Sequence, residues 1–429
     1  MIILIRWFHT SALRVSAFVS DERWILLSMV LATLGIVSIW LPLPALLNIA
    51  IVAVSAALFV AEVRERRDKL RELEIVDRTA DTCEDISRAY ESSQRFEIIC
   101  LTQGLTSQPV LIDHVATASA AAGEVSAVLR NTNYILPREI GDVGRAFRRK
   151  RLSRGATYNG RVVGLDTNLG AGAELEATTW NFLPGRYWDH LASDIMATKD
   201  MLVRGKIVAT VGRSFFIDRH GRVRDFADSW LLNNVGTSVL AITTDARLVV
   251  VVQSNMNESS QGLLAPSGSG SLEPKDMRGS NRIDLARFAS NGALRELHEE
   301  TGIEENMVAE TAFLGFARWI EKAAMPELLT IARLNIDSHA VERAKIPSSD
   351  RPYTIAVRVL RLEQDTCTWD PANPLSILSP VSVEEGGVIR RLSVPLELGL
   401  RLIARNANSS AIPAGEVIRR AMAAGAQRS

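Results

Sequence analysis

The apolar positions of this chain fall into two regimes. At its head, residues 24–41 and 45–61 form two runs without a charged side chain, joined by Pro42-Leu43-Pro44. Each run sits near the lower limit for a bilayer-crossing helix, about 17–25 residues. The Pro-Leu-Pro link leaves room only for a tight turn, so the pattern predicts a transmembrane helical hairpin. Arg6, Arg14 and Arg23 precede the pair, and Arg64, Arg66, Arg67 and Lys69 follow it, while the turn carries no charge. The bias of positive charge toward the cytoplasm then places both termini inside. Trp24 and Trp40 fall near the ends of the first run, where interfacial tryptophans sit. A cleaved signal peptide is disfavoured, because the first run starts late and the second follows at once. A buried hairpin of a soluble protein is the competing reading, against which the unbroken absence of charge weighs. Residues 1–20 hold Ile2, Ile3, Leu4, Ile5, Trp7 and Phe8 with Arg6 and Arg14 and no acid, which suits a membrane-surface segment or a frayed end.

Beyond residue 61 the periods shorten. Val63, Leu70, Leu73, Val76, Ala80, Cys83 and Ile86 recur at threes, fours and sevens, which predicts an amphipathic helix through residues 62–94, continuing the second membrane helix. A coiled coil between subunits is the second reading, weakened by Ala and Cys at core positions. Strands are expected at 96–105 and 110–112, and a helix at 117–130. Residues 158–165 and 175–182 read as strands around a turn-rich 168–172, and 187–203 as a helix. Residues 215–226 read as a hairpin turning at 218–221, with His220 in the turn. Residues 237–243 and 247–253 form a second hairpin whose near-continuous Val, Leu and Ile implies burial on both faces. Strand character resumes at 313–320, 328–336 and 353–360. A helix follows at 394–404, and the last twenty residues read as loosely ordered. The expected fold class is α/β, with an N-terminal transmembrane hairpin (1–61), a helical linker and middle region (62–150), a mixed sheet sandwiched by helices (151–405) and a tail (406–429).

Between the strands lies Arg295-Glu296-Leu297-His298-Glu299-Glu300-Thr301-Gly302-Ile303. At about 100° per residue, Glu296, Glu299 and Glu300 share one helix face and Leu294 and Leu297 another. Arg295 stands four residues before Glu299, an ion-pairing spacing, and Gly302 suits a left-handed helix end. Converging carboxylates repel one another unless a hard cation, a basic partner or solvent holds them.

Composition narrows the partners. In 429 residues, Lys+Arg and Asp+Glu both number 49, so duplex nucleic acid is not an expected partner. Cys83, Cys100 and Cys367 include no C-x-x-C pair, which argues against a disulfide framework or zinc and suits a reducing cytosol. Arg148-Arg149-Lys150-Arg151 would meet anionic lipid headgroups or a phosphate-rich ligand, or serve only as a solvated run.

The stretch from Arg295 to Ile303 resembles the core of the Nudix box, Arg-Glu-aliphatic-any-Glu-Glu-any-Gly-aliphatic, at every specified position. The resemblance implies an α/β/α sandwich in which Glu296, Glu299 and Glu300 ligate Mg²⁺, one of them acting as base, while Arg295 orients them. The upstream half departs from the pattern: the glycine and acidic positions fall on Asn281 and Arg287. Gly270, followed by five residues and Asp276, matches that half instead, with eleven extra residues before Arg295. The run Ser267, Gly268, Ser269, Gly270, Ser271 would cradle phosphate through backbone N–H groups, or form a plain surface loop.

Two spans before a divergent box resemble the bacterial SMODS-associated Nudix domains of CBASS antiphage systems. That resemblance implies an inner-membrane effector whose cytoplasmic domain binds a cyclic oligonucleotide, or another nucleotide, and homo-oligomerises to breach the lipid bilayer. It favours a ligand sensor over a catalyst. The alternatives are a membrane-anchored, Mg²⁺-dependent hydrolase of a nucleoside diphosphate derivative and a passive scaffold.

Overall fold

The structure is a computed structural model describing residues 33, 45–78, 83–103, 106–153, 159–169, 178–203, 206–210, 213–254, 262–347, 353–380 and 392–426. Its first elements are α1 (Ala45–Glu72), β1 (Leu73–Asp77), α2 (Cys83–Arg88), β2 (Phe96–Gln103), β3 (Thr106–Asp113), α3 (His114–Ala121), β4 (Ser126–Leu129) and α4 (Arg138–Ser153). Then come β5 (Arg161–Leu165), β6 (Thr179–Arg186), α5 (Tyr187–His190), β7 (Lys199–Val203), β8 (Lys206–Thr210), β9 (Gly236–Ile242), β10 (Arg247–Gln253), β11 (Leu264–Ala265) and β12 (Gly268–Ser271). The chain closes with β13 (Arg282–Asp284), α6 (Leu285–Thr301), β14 (Val308–Trp319), β15 (Met325–Leu334), α7 (Ser338–Arg343), β16 (Thr354–Arg361), α8 (Val394–Ala407) and α9 (Pro413–Ala426).

The chain divides into two compact units, each assembled from separated segments. One comprises residues 1–78, 137–159 and 199–212; its described strands form a sheet ordered β1-β7-β8. The other comprises 79–136, 160–198 and 213–429. Its larger sheet runs β11-β10-β9-β15-β14-β3-β2, with β12 on β9 and β16 on β10. β9 and β15 are parallel and the other neighbours antiparallel, so the sheet is mixed. A smaller sheet is ordered β13-β4-β6-β5.

All seven residues of β9 are buried, because helices cover both faces. Val239 and Ala241 pack with Ala293 and Leu297 of α6. Leu240 and Ile242 face the opposite way, into a cluster with Leu396, Leu400, Ile418 and Met422 of α8 and α9. A mixed sheet between helices thus follows from the alternation of a strand apolar on both sides. The hairpin expected at 237–253 forms, and the strands expected at 313–320 and 328–336 form as β14 and β15, paired antiparallel, with bounds shifted by a few residues.

Several expectations are corrected. The helix predicted through 62–94 ends at Glu72, since β1 pairs with β7 and the sheet contact outweighs the helical period. The helix expected at 117–130 stops at Ala121, and Ser126–Leu129 joins β6 as a parallel strand. The helix expected at 187–203 comprises α5 and a π-helical turn (Leu191–Ile195), after which β7 begins. Residues 83–136 fall in the second of the two units, where they supply β2, β3 and β4. The tail is not loose: α9 buries Ala414, Val417, Ile418, Ala421 and Met422, small side chains that give weak periodicity but permit close packing. Cys83 and Cys100 are disulfide-bonded, with Cα atoms 5.9 Å apart, because α2 seats its buried Ile86 beside β2.

The expected first span, residues 24–41, lies outside the described residues except for Thr33. The second apolar run opens α1. Among the described residues no helix is long and apolar enough to cross a membrane. The uncharged stretch before Glu62 would rise about 25 Å at 1.5 Å per residue, less than the roughly 30 Å of a hydrocarbon core. The basic run at 148–151 is part of α4, whose Phe147 is buried and whose Lys150 is also largely covered.

Candidate functional site

α6 brings the acidic cluster together. Asp284 caps its start by accepting from Arg287 N at 2.9 Å, and Gly302 ends it at φ 78°, its N–H bonding His298 O at 2.8 Å. The buried face carries Leu285, Phe288, Ala289, Ala293 and Leu297. Glu296 falls on the edge of that face and is buried, while Glu299 and Glu300 are partly exposed.

Arg295 occupies the middle of the cluster. Its Nε and Nη2 donate to the two Asp276 oxygens at 2.9 and 3.0 Å, and Nη2 also to Ser271 O at 2.8 Å. Its Nη1 donates to Glu296 at 2.6 Å and Glu299 at 3.2 Å, and lies 3.7 Å from Glu273. Lys275 Nζ stands 3.2 Å from Glu273 and 3.7 Å from Glu299. Four carboxylates thus surround two cations. Burial opposes the Arg295 charge, but the bond to Asp276 and the charges of Glu296, Asp276 and Glu299 outweigh it and raise the guanidinium pKa. Burial pushes Glu296 up to about 7, with Glu299 and Asp276 adding to the shift and Arg295 opposing it.

Asp276 takes the acidic place that Arg287 could not, because the extra residues form other structure. β13 pairs with β4, and the early turns of α6 lengthen the helix. The chain instead presents Asp276 from a 3₁₀ turn, Pro274–Met277, where its side chain also accepts from Glu273 N at 2.8 Å.

The Ser/Gly run is a strand, not a loop. Gly268 through Ser271 pair antiparallel with Val239 through Gly236. Ser267 Oγ is buried and stitches two strands, donating to Val249 O at 2.6 Å and accepting from Ala241 N at 2.7 Å. Ser269 Oγ accepts from Gln253 Nε2 at 3.3 Å, and Ser271 Oγ from Asn234 Nδ2 at 2.9 Å. The glycines make room for α6. A Cβ on Gly268 would lie 2.5 Å from Leu297 N, and one on Gly270 would lie 2.2 Å from Glu296 Oε1. Gly268→Ala is therefore expected to destabilise the fold by about 1–3 kcal/mol, since a helix backbone cannot yield as a side chain does. A urea midpoint equal to that of the parent chain would contradict this packing.

The Mg²⁺ implied by the box does not fit this donor arrangement. Among the described residues no three His, Cys, Asp or Glu side chains are placed to hold a metal ion. The cause is visible: the Arg295 guanidinium lies between Glu296 and Glu299, and the Glu296 carboxylate is turned against Gly270. Arg295 thus bonds both Glu296 and Glu299.

Sequence reasoning missed Glu273 and Lys275, which complete the cluster. It also missed Glu327, a carboxylate buried on the other side of the sheet and bonded by Ser238 Oγ at 2.5 Å. Its signal was present, as the one acid within the apolar β15 sequence Met-Pro-Glu-Leu-Leu-Thr-Ile-Ala-Arg-Leu.

No family model matches the chain, and no curated protein matches it. Among solved structures it is similar to the protein DR0079 from Deinococcus radiodurans, with 11% identity, 39% of this chain and 81% of that one covered, and a TM-score of 0.25. It is also similar to a NUDIX hydrolase from Nitrosomonas europaea, with 15% identity, 38% and 93% coverage, and a TM-score of 0.21.

Proposed function

We propose that this chain is a nucleotide sensor with a Nudix-like domain, a binding effector rather than a hydrolase. One observation carries the reading: the Arg295 guanidinium bonds both Glu296 and Glu299, which sets these carboxylates on a cation of the chain itself. The favoured ligand is a cyclic oligonucleotide. Ligand binding would drive association of the sheet units, and the N-terminal apolar runs would then gather in and disrupt a bacterial inner membrane. Such coupling requires the ligand to bind the assembled state better than the resting one.

The test uses the full-length chain in lipid nanodiscs, offered cyclic di- and trinucleotides and nucleoside diphosphate sugars with and without Mg²⁺. Binding, association state and product are followed together. Tight binding of a cyclic nucleotide, with association and no product, is the expected result. Multiple turnover that disappears in Glu299→Gln would instead establish the hydrolase, and absence of binding by any cyclic nucleotide would reject the sensor.

A further inference from the structure

Arg318 stands near the end of β14 and is 7% exposed. Its Nε donates to Ala324 O at 3.0 Å and its Nη1 to Arg224 O at 2.7 Å. Its Nη2 is buried without a hydrogen-bond partner. The guanidinium carbon lies 3.9 Å from the centre of the Phe226 ring. A buried cation bonded only to main-chain carbonyls is an uncommon arrangement, because an unpaired interior charge strongly opposes folding. Asp113 and Asp225 do not supply the missing partner. Arg95 holds Asp113 through both oxygens, with Nη2 at 2.8 Å, and Asp225 accepts from Leu169 N and Phe226 N. Burial accordingly lowers the Arg318 pKa to about 10.

Arg318 lines a cavity of about 250 Å³. Tyr90, Phe96 and Phe316 give it flat walls, the carboxylates of Asp113 and Asp225, held as described, also line it, and exposed Ser92 and Arg222 stand at its margin. Tyr90 Oη accepts from Val223 N at 2.8 Å, which leaves its own hydrogen to donate. The volume falls below the roughly 300–1,000 Å³ of drug-sized pockets, so an occupant has the size of a single ring system.

We propose that this cavity binds a small ligand carrying a carboxylate or phosphate on a flat ring. Arg318 and Tyr90 would take the oxyanion, and Phe96 and Phe316 the ring. The site shares no residue with the Arg295 cluster and does not depend on the function proposed above.

The test titrates the full-length chain with benzoate, phenyl phosphate and the neutral benzamide, by calorimetry and ligand-observed NMR. At least one oxyanion is expected to bind about tenfold more tightly than benzamide, the effect of one charge-assisted hydrogen bond. The preference between benzoate and phenyl phosphate identifies which oxyanion the site takes. Arg318→Met and Ser92→Trp should each weaken that binding at least about tenfold, by removing the cation and by filling the margin. Ser92→Trp, at an exposed position, keeps the test decisive should Arg318→Met fail to fold. Absence of binding by both anions, equal binding of benzamide, or unchanged affinity in Ser92→Trp would overturn the proposal and leave a cavity that holds only water.

Discussion

Arg295→Met is expected to destabilise the chain by about 3–5 kcal/mol at pH 8, the range for removing one partner from a buried ion pair. The side chains involved are largely shielded, with Asp276 3% and Glu296 10% exposed. Without the guanidinium, Asp276, Glu296, Glu299 and Glu273 face one another with Lys275 alone among the cluster's cations. Neutralising carboxylates relieves that repulsion, so the loss should shrink as pH falls from 8 to 5. Glu296, raised to about 7 in the parent, takes up its proton across this window. Arg295→Lys restores the charge but not the planar fork that engages both Asp276 oxygens, so its stability should fall between the two. Urea unfolding at pH 5 and pH 8, followed by tryptophan fluorescence, measures both variants. A methionine variant with the parent midpoint at pH 8 would refute the hub.

Glu327→Gln carries the second large effect, with the opposite sign. Burial pushes the Glu327 carboxyl up to about 7 from an unfolded value near 4.5, against the Ser238 bond and the Lys322 charge. Between those values the folded chain holds a proton that the unfolded chain has lost. Parent stability therefore falls as pH rises from 4.5 to 7 and is level above that. Glutamine stays neutral and keeps an oxygen for Ser238. The variant should match the parent at pH 4.5 and exceed it by about 3 kcal/mol at pH 8, from 1.36 kcal/mol per pKa unit. Glu296 titrates in both proteins, so the difference between their stabilities isolates Glu327. A difference that does not change with pH would remove the buried charge from the account. The neighbouring Gly236 has a matching constraint: a Cβ there would lie 1.9 Å from Glu327 Oε2.

Much of the local structure was legible along the chain. The unbroken aliphatic content of 237–253 predicted strands covered on both sides, and β9 is buried throughout. The spacing of Leu294, Leu297 and the three glutamates predicted α6, and Gly302 its left-handed end. Reading failed where a distant partner decided the outcome. Residues 73–77 continue a helical period yet pair with β7, more than a hundred positions away. Gly268 through Ser271 carry loop composition yet form a strand, because glycine is what lets β12 and α6 approach. The Cys83–Cys100 bond depends on α2 packing beside β2, which spacing does not disclose.

The sequence by itself determined which residues could form the site: a helix with Arg295, Glu296, Glu299 and Glu300 in register, and an acid at Asp276 six positions beyond Gly270. Those facts rest on helical geometry and local spacing, which neighbouring residues specify. The tertiary structure alone decided how the set is arranged. It placed Asp276 on Arg295, put the guanidinium between the carboxylates, and turned Glu296 against Gly270. It also stranded Glu327 and Arg318 in the interior. The physical reason is common to all of these. Burial and charge pairing depend on which distant strands and turns share a surface, and that is settled only when the sheet closes.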